Sequence, residues 1–128
     1  MEKVWIVDDD AEMLSAIRLM LRVLGFEAAE FTSARAAAQA LMGGKCPDAM
    51  ILDINMPEVS GLDMLEFIRR RADWPNLPIV MLSTEAADVT VDQALGLGAD
   101  AYMTKPVTMD ELQRALELAA GKRRKGKS

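Results

Sequence analysis

Four short apolar runs in this chain each end in polar residues of a few types. The runs cover residues 4–7, 49–52, 79–82 and 101–103, and the residues that follow them are Asp8 to Asp10, Asp53, Ser83 with Thr84, and Thr104 with Lys105. If these runs are parallel strands of one sheet, all four polar ends lie at the same edge. Open α/β sheets bind their ligands in the crevice at the carboxyl ends of the strands. The pattern therefore predicts one crevice that is suited to a phosphoryl group and a divalent cation.

The apolar runs alternate with segments of helical periodicity, which is typical of βα units around a parallel sheet. A weaker apolar run at residues 28–31 predicts a further strand, which we expect nearer an edge of the sheet. Helices are predicted over residues 87–97 and after the capping residues Asp10, Thr32 or Ser33, and Thr108, with another beginning near Gly61. The sequence thus predicts one α/β domain with five strands and five helices.

The composition is that of a globular protein with a single domain. The chain has 128 residues, of which 51% are hydrophobic, and a chain of this length can bury roughly two-thirds of its unfolded surface. No apolar stretch approaches the roughly 20 residues that a membrane helix needs, and the N-terminus shows no secretory signal. The single cysteine, Cys46, excludes an internal disulfide. It suits a reducing compartment, so we expect a cytoplasmic location.

The chain contains no histidine, and this narrows the chemistry that it can perform. Without histidine there is no Ser-His-Asp triad, no histidine acid–base catalyst and none of the usual zinc sites. A phosphoryl group that this protein handles must therefore sit on a carboxylate, a hydroxyl or a ligand.

The charges are distributed unevenly along the chain. The net charge is −5, but the last eight residues carry five positive charges and no acid, so the remaining residues have a net charge of −10. A body of this charge repels nucleic acid, and we expect none to bind to the domain itself. Residues 121–128 are a basic C-terminal tail or the start of a linker, with nucleic-acid binding by the tail as a third option. Arg69, Arg70 and Arg71 are expected to form the solvated carboxyl end of the third helix.

Asp8, Asp9 and Asp53 are predicted to lie together, and three carboxylates in one place call for a cation. Carboxylates about 5 Å apart repel each other by roughly 3 kcal/mol at an effective dielectric near 20, so such a cluster either raises a pKa or binds a cation. Hard oxygen ligands suit Mg²⁺, which typically takes one or two carboxylates together with phosphate oxygens. Lys105 would add a positive charge for the remaining phosphate oxygens, and Ser83 a neutral donor.

Four motifs together resemble those of the receiver domains of two-component response regulators, a family that includes the chemotaxis regulators. They are Val7-Asp8-Asp9-Asp10, Asp53-Ile54-Asn55-Met56-Pro57 with Gly61, Ser83-Thr84 and Lys105-Pro106. The resemblance covers residues 3 to about 120 and implies a receiver domain at residues 1–120. It also implies a flavodoxin-like, doubly wound fold in which a parallel sheet with strand order 2-1-3-4-5 lies between two layers of helices.

The resemblance further implies a role for each site residue. Asp53 is the phosphoacceptor, and Lys105 and Ser83 are catalytic residues that contact the phosphoryl group. The ligands of Mg²⁺, or of Mn²⁺, are Asp8, Asp9, Asp53 and the backbone carbonyl of Asn55. Ser83 and Tyr102 form the switch, Lys105-Pro106 is a cis peptide, and Asn55 and Glu85 tune dephosphorylation.

The function that the resemblance implies is a signalling switch and not a conventional enzyme. A sensor histidine kinase or a histidine phosphotransfer protein supplies the phosphohistidine, and the domain catalyses its own phosphorylation and a slow self-dephosphorylation. Phosphorylation changes the face formed by the fourth helix, the fifth strand and the fifth helix, which controls an output domain or a downstream protein. The same face is a candidate surface for a homodimer, and no membrane partner is expected.

Other classes of phosphate-handling protein fit the residues less well. A haloacid-dehalogenase-like phosphatase needs a second aspartate two residues after its nucleophile, where this chain has Asn55. A flavodoxin-like cofactor carrier needs a phosphate-binding loop where this chain has Asp8 to Asp10, and no P-loop motif is present. A degenerate receiver that acts only through protein–protein contacts stays open as an alternative.

Overall fold

Strands and helices alternate strictly along the chain, in a computed structural model that describes residues 2–84 and 88–125. The elements are β1 (Lys3–Val7), α1 (Ala11–Val23), β2 (Glu27–Phe31), α2 (Ala34–Met42), β3 (Ala49–Asp53), α3 (Gly61–Arg70), β4 (Ile79–Ser83), α4 (Asp88–Gly96), β5 (Ala101–Thr104) and α5 (Met109–Lys125). All five predicted strands and all five predicted helices are present. None of the described helices is both long enough and apolar enough to span a membrane.

The sheet is parallel throughout and has the order β2-β1-β3-β4-β5, which confirms the predicted fold. β2, the weakest strand in the sequence, is an edge strand as expected. The cores on the two faces are separate: α2, α3 and α4 cover one face, while α1 and α5 cover the other. The chain runs from β1 to β2 on one side and returns to β3 on the other. A crevice therefore opens between the carboxyl ends of β1 and β3.

The burial of the central strands explains their uninterrupted apolar sequences. Every residue of β3 and of β4 is buried, because helices cover both faces of the sheet. The strand register aligns the carboxyl ends, pairing Val7 with Leu52, Asp53 with Leu82, and Ser83 with Thr104. In β3 and β4 the polar side chains are thus confined to the carboxyl ends, where Asp53 and Ser83 share one edge of the sheet.

Side-chain caps fix the beginnings of four helices. The predicted caps are confirmed for α1, α2 and α5, where Asp10, Ser33 and Thr108 accept hydrogen bonds from backbone N–H groups of the first turn. Ser60 caps α3 in the same way, and its role was not predicted. α4 begins at Asp88 in the structure, and Ala87, which was predicted to start it, lies outside the described residues. α5 continues to Lys125, so the first five residues of the predicted tail are helical.

The prediction for the third helix was wrong at Arg69. Arg70 is exposed as expected, but the side chain of Arg69 is only 12% exposed. It forms an ion pair of 2.9 Å with Asp100, which is fully buried just before β5. The physical reason is that the last turn of α3 packs beside the connection between α4 and β5, where the Arg69 side chain reaches the buried Asp100 carboxylate. The position of that carboxylate depends on the fold and not on the local sequence.

Candidate functional site

The three predicted carboxylates meet at the carboxyl edge of the sheet. Asp8 and Asp9 follow β1 and Asp53 ends β3, and one oxygen from each of the three side chains lies within 4.8 Å of the others. Asp8 is 0% exposed and Asp53 is 2% exposed, while Asp9 is exposed. The pocket is therefore buried at its base and open to solvent on one side.

Lys105 supplies the positive charge of the pocket. Its Nζ lies 3.2 Å from Asp8 Oδ2 and 3.5 Å from Asp53 Oδ1. The backbone N–H of Lys105 donates a 2.8 Å hydrogen bond to the carbonyl of Ser83, which fixes the chain after β5 beside the end of β4. A single ammonium group is thus shared by two buried carboxylates, and the pocket keeps an excess of negative charge.

Burial of Asp53 raises the pKa of its carboxyl group from 3.8 to about 6. Removal from water is the largest cause, since it penalises the charged form, and the negative charge of Asp8 acts in the same direction. The Lys105 ammonium and the backbone N–H of Asn55 stabilise the carboxylate and limit the rise in pKa. At neutral pH the carboxylate form of Asp53 predominates by about ten to one.

The pKa of Lys105 moves in the direction that keeps it charged. Burial alone would lower this pKa, but the hydrogen bond to Asp8 and the charges of Asp53 and Asp8 outweigh burial, and the pKa is raised. The ammonium group therefore stays protonated throughout the physiological range.

The donor set of the pocket fits a divalent metal ion with hard-oxygen preference. All three candidate ligands are carboxylates. Asp8 Oδ1 accepts a 2.9 Å hydrogen bond from the backbone N–H of Asp10, whereas among the described residues the buried Asp8 Oδ2 is contacted only by the Lys105 ammonium, at 3.2 Å. A buried carboxylate oxygen with spare acceptor capacity, beside two further carboxylates, is what a hard cation such as Mg²⁺ requires.

Gly61 allows α3 to begin directly against the end of β3. A Cβ atom at this position would lie 2.7 Å from the carbonyl carbon of Asp53 and 2.8 Å from Cα of Ile54, and closer still to the Asp53 carbonyl oxygen. The Gly61 N–H donates a 2.9 Å hydrogen bond to the Ile54 carbonyl. The backbone that carries Asp53 is thus held in place by a contact that only glycine permits.

The other predicted site residues lie around this centre. Ser83 is fully buried at the end of β4, next to β3. Tyr102 is half-buried in β5 and packs against the core on the α2–α4 face. Asn55 is exposed in the loop after β3, and the Lys105-Pro106 peptide bond is cis. Glu85 lies outside the described residues.

Two features of the site were not found from the sequence. One is the backbone N–H of Asp10, which binds Asp8 while the Asp10 side chain caps α1. The other is the close approach of Gly61 to Asp53, because the sequence marked this glycine only as a loop residue and a member of the motif. The only indication in the sequence is that a glycine follows the strand-end aspartate by eight residues. This spacing does not show how close the two residues lie in the folded chain.

The comparisons with known proteins agree with this geometry. The family model described as response regulator receiver domain matches residues 4–117. The chain is 35% identical over 119 residues to the transcriptional regulatory protein KdpE of Mycobacterium tuberculosis, covering 93% of this chain and 51% of that protein. It is 33% identical over 120 residues to the chemotaxis protein CheY1 of Helicobacter pylori, covering 93% of this chain and 97% of that protein.

A solved structure shows the same fold at comparable coverage. The chemotaxis protein CheY4 of Vibrio cholerae is 28% identical, has a TM-score of 0.81, and the match covers 91% of this chain and 97% of that one. The chain belongs to the receiver domains of two-component response regulators. It spans nearly all of CheY1 but only about half the length of KdpE.

We predict that Gly61→Ala disturbs the site from within the fold. The added Cβ must displace the Asp53 backbone or the first turn of α3, and we expect a loss of about 2–4 kcal/mol in the free energy of unfolding, measured in urea. The control is Gly96→Ala in α4, where a Cβ meets nothing within 4 Å. That change should be neutral or stabilising by up to about 1 kcal/mol. Equal effects of the two substitutions would contradict the proposed close contact.

We also predict that Asp53 makes the metal-free protein less stable as the pH rises from about 4 to about 7. The folded state, with a pKa of about 6, binds more protons in this window than the unfolded state, with a pKa of 3.8. Asp53→Asn removes the effect, so its stability relative to wild type should rise by about 1–2 kcal/mol between the two pH values in urea denaturation. A difference between variant and wild type that does not change with pH would refute the raised pKa.

Proposed function

We propose that this domain is a phospho-accepting switch in which Asp53 takes a phosphoryl group from a phosphohistidine on a sensor histidine kinase or a phosphotransfer protein. The observation that carries the proposal is the meeting of Asp8, Asp9, Asp53 and Lys105 in one pocket at the carboxyl edge of the sheet. The absence of histidine from the chain agrees with a donor that acts in trans.

Asp53 has the properties of a nucleophile in phosphoryl transfer. Its carboxylate is mostly ionised at neutral pH, and one oxygen attacks phosphorus while the bond from phosphorus to the histidine nitrogen breaks. The product is an acyl phosphate on Asp53 and a free histidine on the donor. The pocket walls hold the carboxylate at the rigid end of a central strand, so its position is fixed before the donor arrives.

Lys105 and Ser83 would stabilise the transferred group. The Lys105 ammonium already contacts Asp53, so it can pair with phosphoryl oxygens with little movement. Ser83 ends the neighbouring strand and offers a hydroxyl donor on the same edge. Both residues act on the oxygens that carry the negative charge of the phosphoryl group.

The metal ligands would be Asp9 and Asp53 directly, Asp8 directly or through water, and the Asn55 backbone carbonyl. Bound Mg²⁺, or Mn²⁺, would neutralise charge between the carboxylates and the phosphoryl oxygens. Asp9 is exposed, which leaves the open side of the pocket free for the donor. Asn55 and Glu85 follow Asp53 and Ser83 by two residues each in the sequence, and we assign them the tuning of water attack during the slow self-dephosphorylation.

Phosphorylation would then change the face formed by α4, β5 and α5. A phosphoryl group adds a charge of roughly −2 to an already negative pocket, which draws the Ser83 hydroxyl toward it. Tyr102, which lies half-buried in β5, would turn inward behind Ser83. The altered face would control an output domain, a downstream protein or a homodimer, and we place this function in the cytoplasm with residues 121–128 as a tail or linker.

The direct test is phosphorylation of the chain by acetyl phosphate and Mg²⁺, followed by intact mass measurement. We expect one phosphoryl adduct on the wild-type protein and none on Asp53→Asn, because the acceptor oxygen is lost. Asp63→Asn, which changes an exposed aspartate of α3, should still form the adduct. A wild-type protein that binds Mg²⁺ but forms no adduct would contradict the proposed phospho-accepting switch. That result would favour a degenerate receiver that acts only through protein contacts.

The assignment of Asp9 as a metal ligand can be tested separately, because Asp9 and Asp10 are adjacent aspartates of equal charge and each can be substituted alone. Asp9→Asn should weaken Mg²⁺ binding about tenfold or more in isothermal titration calorimetry, because it removes a ligand. Asp10→Asn is the control, since the Asp10 side chain caps α1 and asparagine caps a helix equally well. The same loss of affinity in both variants would show a general effect of charge and would remove Asp9 from the ligand set.

A further inference from the structure

A cluster of buried charges lies at the amino edge of the sheet, opposite the phosphorylation pocket. Asp100 is fully buried just before β5 and forms ion pairs with Arg69 of α3 and with Arg123 of α5. These three residues, named here the amino-edge clamp, have no part in the site described above.

Asp100 uses both of its carboxylate oxygens in the clamp. Oδ2 accepts a 2.9 Å hydrogen bond from Arg69 Nη2 and another of 2.9 Å from the backbone N–H of Ile79, at the start of β4. Oδ1 accepts a 2.7 Å hydrogen bond from Arg123 Nε. The Asp100 backbone N–H in turn donates to the Ile79 carbonyl at 2.9 Å. Asp100 therefore joins α3, β4 and α5 through one side chain.

Each arginine also holds a backbone carbonyl in a connecting segment. Arg69 Nε donates a 2.8 Å hydrogen bond to the carbonyl of Gly98, in the connection between α4 and β5. Arg123 Nη1 donates at 3.1 Å to the carbonyl of Pro75, in the connection between α3 and β4. Gly98 has a φ of +106°, and a Cβ there would lie 2.9 Å from Cγ of Arg69, so the arginine packs closely over this connection. The clamp thus spans five segments of the chain.

A clamp that lacks one of its charged partners is less stable, because a buried charge is then left incompletely paired. Two guanidinium groups share one carboxylate, and burial lowers the pKa of Arg69 to about 10, with Arg123 acting in the same direction and Asp100 against it. Arg69 therefore stays charged at neutral pH. Loss of one of them leaves Asp100 buried with fewer partners, and buried ionic networks of this kind respond as a unit. The loss of one arginine therefore changes how strongly Asp100 binds the other.

From these contacts we propose that the amino-edge clamp couples the last turn of α5 to the last turn of α3, because each of these turns is held by its own arginine on the same carboxylate, Asp100. A displacement of the last turn of α3 is passed through Arg69 and Asp100 to Arg123, and from there to the end of α5. The coupling is a property of the unphosphorylated domain, so it stands or falls independently of the proposed phosphoryl transfer.

Hydrogen–deuterium exchange with mass spectrometry on the full chain tests this coupling in both directions. Arg69→Gln should speed exchange of residues 119–125 about tenfold relative to α1 in the same sample, although no hydrogen bond or ion pair joins Arg69 to a described side chain of α5. Arg123→Gln should likewise speed exchange of residues 66–70, at the end of α3, although Arg123 bonds Asp100 and Pro75 and no described residue of α3. The α1 reference separates a local release from a general loss of stability.

The matched controls change a neighbouring cation outside the clamp. They are Arg70→Gln for α3, whose side chain is exposed and pairs with Glu66, and Lys122→Gln for α5, which is exposed. Neither should alter exchange in the distant segment. If each clamp variant speeds exchange only in the segment that its own arginine contacts, the three residues are separate anchors and the coupling is refuted. If Arg69→Gln does not fold, the arm with Arg123→Gln decides the question alone, because that side chain is partly exposed.

Discussion

The crowding of three carboxylates between the ends of β1 and β3 is the constraint on which the rest of the molecule depends. Like charges within 4.8 Å repel strongly once they leave water, so they meet only where a rigid fold holds them. The strand order supplies that rigidity, since β1 and β3 are hydrogen-bonded neighbours in the sheet center and the chain leaves β1 in the opposite direction. Lys105 offsets part of the repulsion, and the negative charge that remains favours the binding of a cation.

The two edges of the sheet have opposite electrostatic characters. The carboxyl edge holds three acids and one lysine, whereas the amino edge holds two arginines and one aspartate. Between them, β3 and β4 are buried along their whole length and carry apolar side chains up to their polar ends. The candidate reactive site thus lies at one edge of the sheet, and the ion pairs that join α3, β4 and α5 lie at the other. The strands and the helices both run between the two edges and connect them.

The fold and the centre of the site could be predicted because their signals are local. Apolar runs, capping residues and strand-end acids are visible in the printed sequence, and parallel strands bring their ends together by geometry alone. Arg69 could not be placed in the same way. Three consecutive arginines at a helix end look alike in sequence, and which one is buried depends on where Asp100 lies, which is set by the packing of α3 against the α4–β5 connection. The contact between Gly61 and Asp53 depends on the same kind of packing.

Asp53 lies among like charges in a buried pocket, and we expect a bound cation to relieve their repulsion. The most direct test is an NMR titration of the Asp53 carboxyl carbon, with and without Mg²⁺. The structure predicts a pKa of about 6 in the absence of metal and a clear decrease when Mg²⁺ is added. A pKa near its ordinary value without metal, unchanged on addition of Mg²⁺, would show that the carboxylates are neither crowded nor a metal site, and would contradict the account.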